Sequence, residues 1–235
     1  ERHFQENGEP LRKAALVVWG TSNMRTGGDD IAQAMWLWGC EPIWEESSGR
    51  LVDVRVIPAT LLSRPRVDVT IRISGLFRDA FGETARLLAT IPLRLASLEE
   101  PHDLNPIRAQ GNYGAGVLQL LQSGNWSDRE DVAAVYIGWG NHAITPDGSI
   151  TPAENELRDD LRRVEAVVQN QDNRDHDILD SDDYFQFQGG LAATVATLRG
   201  TPVPVYHGDS SQPGSPIMRS LEEELAKVIH SRVLN

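Results

Sequence analysis

The chain has 235 residues, enough for one large domain or two small ones around a sizeable core. Apolar residues supply 40% and charged residues 24%, the balance of an ordinary globular protein, while a formal net charge of −12 argues against nucleic acid or an anionic membrane as the main partner. No apolar run approaches the roughly 18 residues of a membrane span, Glu1–Lys13 is a polar extension without a secretory h-region, and the single cysteine, Cys40, excludes an internal disulfide. These features predict a cytoplasmic location.

The continuous apolar run Ala14–Trp19 predicts a buried strand, followed by a polar loop, Gly20-Thr-Ser-Asn-Met-Arg-Thr-Gly-Gly28. Asp29 and Asp30 suit the positive end of a helix dipole, and Ile31, Ala34, Met35 and Trp38 recur at helical spacing after them. Cys40, just beyond, reads as a packing residue. Val52–Ile57 and Val67–Ile73 are β-branched strand candidates, with Pro58 and Pro65 between them. Phe77–Leu98 reads as a helix that Pro92 should break or kink, and residues 99–112, with Pro101, Pro106 and Gly111, read as a loop.

A helical stretch follows, in which Ser127-Asp-Arg-Glu130 is a capping box for a Val132–Trp139 helix and Thr151-Pro-Ala-Glu154 is a second one. The alternating pattern returns with a strand at Ala166–Val168, a helix from about Gly189 to Leu198, a strand at Val203–Tyr206 and a last helix opened by Ser215-Pro216. The expected fold is α/β, a doubly wound, largely parallel sheet with a helical insertion. The expected parts are an extension at 1–13, an α/β part at 14–112, the insertion at 113–165 and a returning α/β part at 166–235, forming one domain of a larger subunit.

In such a sheet the functional loops leave the C-terminal strand ends. Four polar segments qualify: Gly20–Gly28, Ser74-Gly-Leu-Phe-Arg-Asp79, Asn170–Asp183 and His207-Gly-Asp-Ser-Ser211. The first carries Asn23 and Arg25 but lacks the Gly-Lys-Ser/Thr of a phosphate loop, so it serves equally as a ligand contact or as ordinary capping. Arg78 and Asp79 read as a ligand-facing arginine or a simple ion pair. His207 and Asp209 read as a metal or proton-transfer pair or, more commonly, as structural residues.

Asn170–Asp183 concentrates six aspartates, one histidine and three side-chain amides in fourteen residues. So many carboxylates are costly together unless something positive or protonated lies among them. A hard or borderline metal cation, or a proton acceptor serving one, is the natural candidate. The spacing fits neither an EF-hand, whose central glycine and ligand ladder are missing, nor a zinc site, since the only cysteine is remote and no histidine pair shares a helix. On composition alone the run reads somewhat more readily as a turn and helix cap.

Three long motifs in order resemble one family. Val17-Val-Trp-Gly-Thr-Ser-Asn-Met-Arg-Thr-Gly-Gly-Asp-Asp30, Arg64-Pro-Arg-Val-Asp-Val-Thr-Ile-Arg-Ile-Ser-Gly-Leu-Phe-Arg-Asp79 and the run from Val168 through Asp-Ser-Asp-Asp-Tyr-Phe-Gln-Phe187 are similar to the large subunits of cobaltochelatases, the CobN type, and Tyr206-His-Gly-Asp209 belongs to the same pattern. The large H-type chain of magnesium chelatase is a more distant relative sharing the Ser-Gly-x-Phe-Arg-Asp core. The resemblance spans roughly residues 14–235. It implies part of a subunit, several times longer, that binds a tetrapyrrole and inserts Co2+ into a corrin ring, hydrogenobyrinic acid a,c-diamide, with Mg2+ as the alternative metal. Sister AAA+ ATPase subunits use the ATP, in keeping with the missing phosphate loop here, and this segment alone should not catalyse.

Where magnesium-type relatives carry a histidine before Tyr-Phe, this chain has Asp182-Asp183-Tyr184-Phe185, as cobalt-type sequences do. The resemblance implies Asp183, with Asp182 or His176, as the proton-accepting or metal-delivering groups. It further implies Arg25, Asn23 and Arg78 on the macrocycle's carboxylates, Trp19 or Tyr184 on its face, and Asp183, Asp180, His207 and Asp209 as metal contacts. A non-catalytic tetrapyrrole-binding or ATPase-docking scaffold, with Tyr113–Leu161 as the docking face, is the competing expectation.

Overall fold

The computed structural model describes residues 1–107, 112–114, 129–171, 177–179, 184–212 and 214–234. Among them, one eight-stranded sheet forms the centre. After a short helix α1 (Arg2–Asn7), strand β1 (Lys13–Val18) enters the core with every residue buried. It pairs in parallel with β4 (Asp68–Ile73) on one side, Leu16 opposite Ile71, and with β8 (Ala166–Gln171) on the other, Leu16 opposite Val168. Strands buried on both faces tend to read as unbroken apolar runs, which makes β1 and the start of β8 visible in the sequence; β4 shows instead through its β-branched residues, which alternate with the buried Asp68, Thr70 and Arg72.

Outward from β4 lie β5 (Asn112–Gly114), parallel, then β6 (His142–Ile144) and β7 (Ile150–Pro152), antiparallel; outward from β8 lie β9 (Val205–Asp209), parallel, and β10 (Ile217–Ser220), antiparallel. The sheet is therefore mixed α/β and mostly parallel at its centre. The segment 113–165 supplies helices α6 (Arg129–Gly140) and α7 (Glu154–Arg163), and with them β6 and β7, so it extends the sheet as well as covering it.

Helices cover both faces. Helices α3 (Asp29–Trp38) and α5 (Gly82–Ala96) bury Ile31, Met35, Trp38, Leu88, Ile91 and Leu95 against Leu16, Val18, Val69 and Ile71. On the opposite face α6, α7 and α8 (Gly190–Arg199) pack Tyr136, Leu157, Leu161, Leu191 and Val195 on Ala15, Val17 and Val167. Pro92 does not end α5: the helix runs on through it because Ile91 and Leu95 on either side are buried in the core.

Several local expectations gave way to tertiary structure. The loop expected at Gly20–Gly28 is a seven-residue helix, α2 (Gly20–Thr26), and the loop expected at Ser74–Asp79 is mostly a second one, α4 (Gly75–Ala80), capped by Ser74 Oγ accepting from Phe77 N–H. The strand at Val52–Ile57 exists as β3 (Leu51–Val56) but pairs with β2 (Cys40–Trp44) in a separate antiparallel hairpin. Thr151 and Pro152 belong to β7, so no capping box forms there and α7 starts at Glu154. The last helix, α9 (Leu221–Leu234), opens instead on a capping box at Ser220: its hydroxyl accepts from Glu223 N–H at 3.2 Å while Glu223 accepts from Ser220 N–H at 2.9 Å. The Ser127–Glu130 box lies largely outside the described residues. Cys40 is buried, and burial pushes its thiol up to about 11, consistent with a packing role.

Candidate functional site

Strands β1 and β8 are neighbours, yet the helices that follow them cover opposite faces of the sheet. That is the topological switch point of a doubly wound sheet, where a crevice opens between the C-terminal strand ends. Trp19 ends β1 and the aspartate-rich segment leaves β8 at this point.

The motifs singled out in the sequence meet around this crevice. Ser74, at the end of β4, accepts from Gly20 N–H at 3.1 Å while capping α4. A side chain at Gly20 would meet Leu76 Cγ at 2.8 Å and Phe77 N at 2.9 Å, so the first helix turn after β1 needs glycine for the close approach of α4. Asn170, on β8, donates from Nδ2 to Asp30 Oδ1 at 2.7 Å and to Gln33 Oε1 at 2.6 Å, both on α3. Asp30 Oδ2 accepts from Ser22 on α2 at 3.3 Å. A Cβ at Gly208, on the adjacent strand, would lie 2.3 Å from Asn170 Oδ1.

The described part of the aspartate-rich segment is tethered as well. Asp177 accepts from Arg232 of α9 at 2.8 Å, and Ile178 is buried with Tyr184 and Val228. Tyr184 opens a π-helical turn, Tyr184–Gly189, that runs into α8, and its ring lies 5.5 Å from Trp19 at 59°. Such turns are frequent beside functional sites.

Asp183, Asp182, His176 and Asp180 lie outside the described residues. Of the others, Trp19 and Tyr184 are brought together on the α8 side of the sheet. Arg25 is on the other side, in the last turn of α2, and helps line a groove of about 1440 Å3 together with Gln33, Trp36, Asn170, Tyr206 and Ser210. Asn23 is buried at 4% exposure, with neither its amide nitrogen nor its carbonyl oxygen hydrogen-bonded. Arg78 sits apart, half exposed on α4 and paired at 2.7 Å with Asp79.

His207 and Asp209 share one face of β9 but have different surroundings. The His207 ring is fully buried; its Nε2 lies 2.9 Å from Gln188 Nε2 and its Nδ1 has no hydrogen-bond partner. Burial lowers its pKa to about 4, the nearby Glu224 only partly opposing this, so the ring is neutral at pH 7. Asp209 accepts from Ser211 at 2.6 Å and Arg219 at 2.8 Å, with Lys227 at 3.3 Å. Burial works against its charged form, but these partners outweigh it and hold the carboxyl well below the usual range. Asp209 thus ties β9 to β10 and α9. Among the described residues no group of three or more His, Cys, Asp and Glu side chains is placed to hold a metal ion.

Sequence reasoning missed Asn170 and Asp30 as partners, as well as Trp36, whose ring is 62% exposed on the groove wall with the Arg64 guanidinium 4.0 Å over it. Trp36 carried a signal, being an aromatic outside the buried stripe of α3; the Asn170–Asp30 pairing carried none.

A mostly parallel sheet covered by helices on both faces defines a doubly wound α/β domain, and comparison with known proteins names the family. A family model described as CobN/Magnesium Chelatase matches residues 1–110 and 108–235. Over the whole chain the sequence is 46% identical to the aerobic cobaltochelatase subunit CobN of Pseudomonas aeruginosa and 42% identical to that of Sinorhizobium. It is 33% identical, over 95% of its length, to the H-type magnesium-chelatase chain of Rhodobacter capsulatus. The solved catalytic subunit of cobaltochelatase from Mycobacterium tuberculosis superposes with a TM-score of 0.92 at 38% identity, covering 97% of this chain. The chain belongs to the CobN/magnesium chelatase family. It spans 21% of the length of each of these relatives.

Proposed function

We propose that this chain forms part of the tetrapyrrole-binding, metal-inserting large subunit of an ATP-dependent cobaltochelatase, delivering Co2+ to the corrin ring of hydrogenobyrinic acid a,c-diamide. The observation that carries the reading is the 46% identity to a CobN subunit against 33% to an H-type magnesium-chelatase chain. AAA+ partner subunits in the cytoplasm would hydrolyse the ATP.

As the metal enters the macrocycle plane, two pyrrolic protons must leave. In this proposal Asp183, with Asp182 or His176, accepts them and receives the partly dehydrated cation. Arg25 meets peripheral carboxylates from the groove side. Arg78 can join it, because an exposed pair such as Arg78–Asp79 is weak enough to exchange. Trp19 and Tyr184 offer an aromatic wall. His207, held at Nε2 by Gln188, and Asp209, held by Ser211 and Arg219, take supporting roles, and the metal contacts fall to Asp183 and Asp180.

In the full-length subunit assembled with its ATPase partners, Asp183→Asn is expected to lower Co2+ insertion at least about 100-fold, the scale of a lost general base, with the fold retained by circular dichroism. Undiminished turnover would favour a scaffold role and sink the assignment. Asn23 offers a second check. Its unpartnered amide costs stability of about 1 to 3 kcal/mol, a cost that makes sense if ligand binding opens α2 and gives the amide a partner. Asn23→Leu should therefore raise the thermal midpoint while weakening corrinoid binding. A stabilised variant with unchanged affinity would remove Asn23 from the site.

A further inference from the structure

The hydrogen bonds of Asn170 cross the crevice between the two halves of the switch point. Its amide nitrogen donates to Asp30 and Gln33 of α3, and Asp30, 1% exposed, in turn accepts from Ser22 of α2. Its carbonyl oxygen fills the space left by the missing side chain of Gly208 on β9. Gly208 is not among the glycines with positive φ, so it is there for room and not for backbone freedom. One connected set of contacts thus runs from β9 through β8 to α3 and α2. It joins the strand that leads into the aspartate-rich segment to the helix that bears Asn23 and Arg25.

These contacts do not hold the strand end in the sheet. Gln169 and Gln171 are already in register with His207 and Asp209, and Ser210 N–H donates to Gln171 O at 3.1 Å. What the Asn170 side chain adds is the placement of that strand end relative to α2 and α3. Its bond to a buried carboxylate is of the stronger, charge-assisted kind, with little freedom to drift.

We propose that Asn170 is a positioning residue for metal insertion: through Asp30, and with Gly208 making room, it sets the exit of the aspartate-rich segment against the helix that holds the macrocycle. This rests on the functional reading above, in which that segment carries the proton-accepting groups.

The test uses the full-length subunit with its ATPase partners, Co2+ and the corrinoid. Asn170→Asp sets two carboxylates against each other and should lower kcat about 10- to 100-fold, the usual range for residues that orient a metal-handling group. The new carboxylate lies on the groove that Arg25 also lines, so the corrinoid KM is read on the uncharged Gly208→Ala variant, where it should stay within about twofold. The swapped double variant Asn170→Asp/Asp30→Asn restores one donor facing one acceptor, and should recover kcat to within a few-fold of the parent. Gly208→Ala displaces the same amide without adding charge and should reproduce the kcat loss.

The proposal is overturned if the double variant is no better than Asn170→Asp, if the loss appears in KM alone, or if Gly208→Ala turns over normally. Asp183→Asn separates this from failure of the functional reading. An inactive Asp183→Asn beside an unaffected Asn170→Asp rejects the positioning role only. Normal turnover by Asp183→Asn, with a kcat loss in Asn170→Asp that the swap rescues, rejects the role of Asp183 and keeps that of Asn170.

Discussion

Replacing Arg66 by methionine is expected to lower stability by about 3 to 5 kcal/mol, the scale seen when one partner of a buried ion pair is removed. The guanidinium is fully buried and every arm is used. Nε and Nη2 each reach Glu100 at 2.8 Å, Nη1 reaches the carbonyls of Trp38 and Gly39 at 2.8 and 3.1 Å, and Nη2 also reaches that of Ile57 at 2.6 Å. One side chain thus fastens the end of α3, both roots of the β2–β3 hairpin and the chain beyond α5. Gly39 is shaped to the same purpose: its φ is +76°, and a Cβ there would lie 2.7 Å from Arg66 Nη1. Methionine fills similar volume but removes the guanidinium from Glu100, which keeps only neutral donors such as Ala59 N–H, and takes a donor from the carbonyls of Trp38, Gly39 and Ile57, of which Gly39 keeps Ile57 N–H. Against a typical domain stability of about 5 to 15 kcal/mol that is a large fraction. Denaturant unfolding should show it as an early loss of hydrogen-exchange protection in the hairpin. A shift worth less than about 1 kcal/mol, the scale of an exposed pair, would contradict the argument.

The second large effect is a loss of stability as pH falls from about 6.5 to about 4. His207 is buried and neutral, with a folded-state pKa of about 4 against an ordinary 6.5. Between those values the unfolded chain binds a proton that the folded chain refuses, so acid favours unfolding, and the contribution levels off below about 4. The shift corresponds to roughly 3 kcal/mol. Carboxylates held low by their partners, such as Asp209, Glu100 and Asp53, also lose stability in acid, but only below the ordinary carboxylate range. Above about pH 4.5 the loss of stability in acid among the described residues therefore comes from His207, opposed by Asp160, whose carboxyl burial pushes up so that its protonation favours the folded chain. His207→Gln should flatten the stability profile there, and a slope unchanged by that substitution would show that another group is responsible.

The parts of the fold legible in the sequence were those where local pattern and burial agree. Strand β1 is an apolar run, β4 is rich in β-branched residues, and α3 shows its helical stripe. Helix α2 was hidden because Gly20-Thr-Ser-Asn23 is a poor helix former by itself; its first turn is held from outside by Ser74. Strand β2 was hidden by Pro42 and by its short length. At the proposed site, Trp19, Tyr184 and Arg25 stand out through the family motifs. The pairing of Asn170 with Asp30 spans 140 positions and has no periodicity to announce it. Gly208 likewise has a reason only once the neighbouring strand is in place.

Both margins of the sheet end in strands ill suited to receive another. Along β10 the carbonyl of Met218 already accepts from Arg2 of α1 at 2.7 Å, and the opposite margin, β7, has three residues and ends in Pro152, which has no N–H to offer. Strand-to-strand templating between chains, the usual route from a sheet protein to an aggregate, has little to start from at either border.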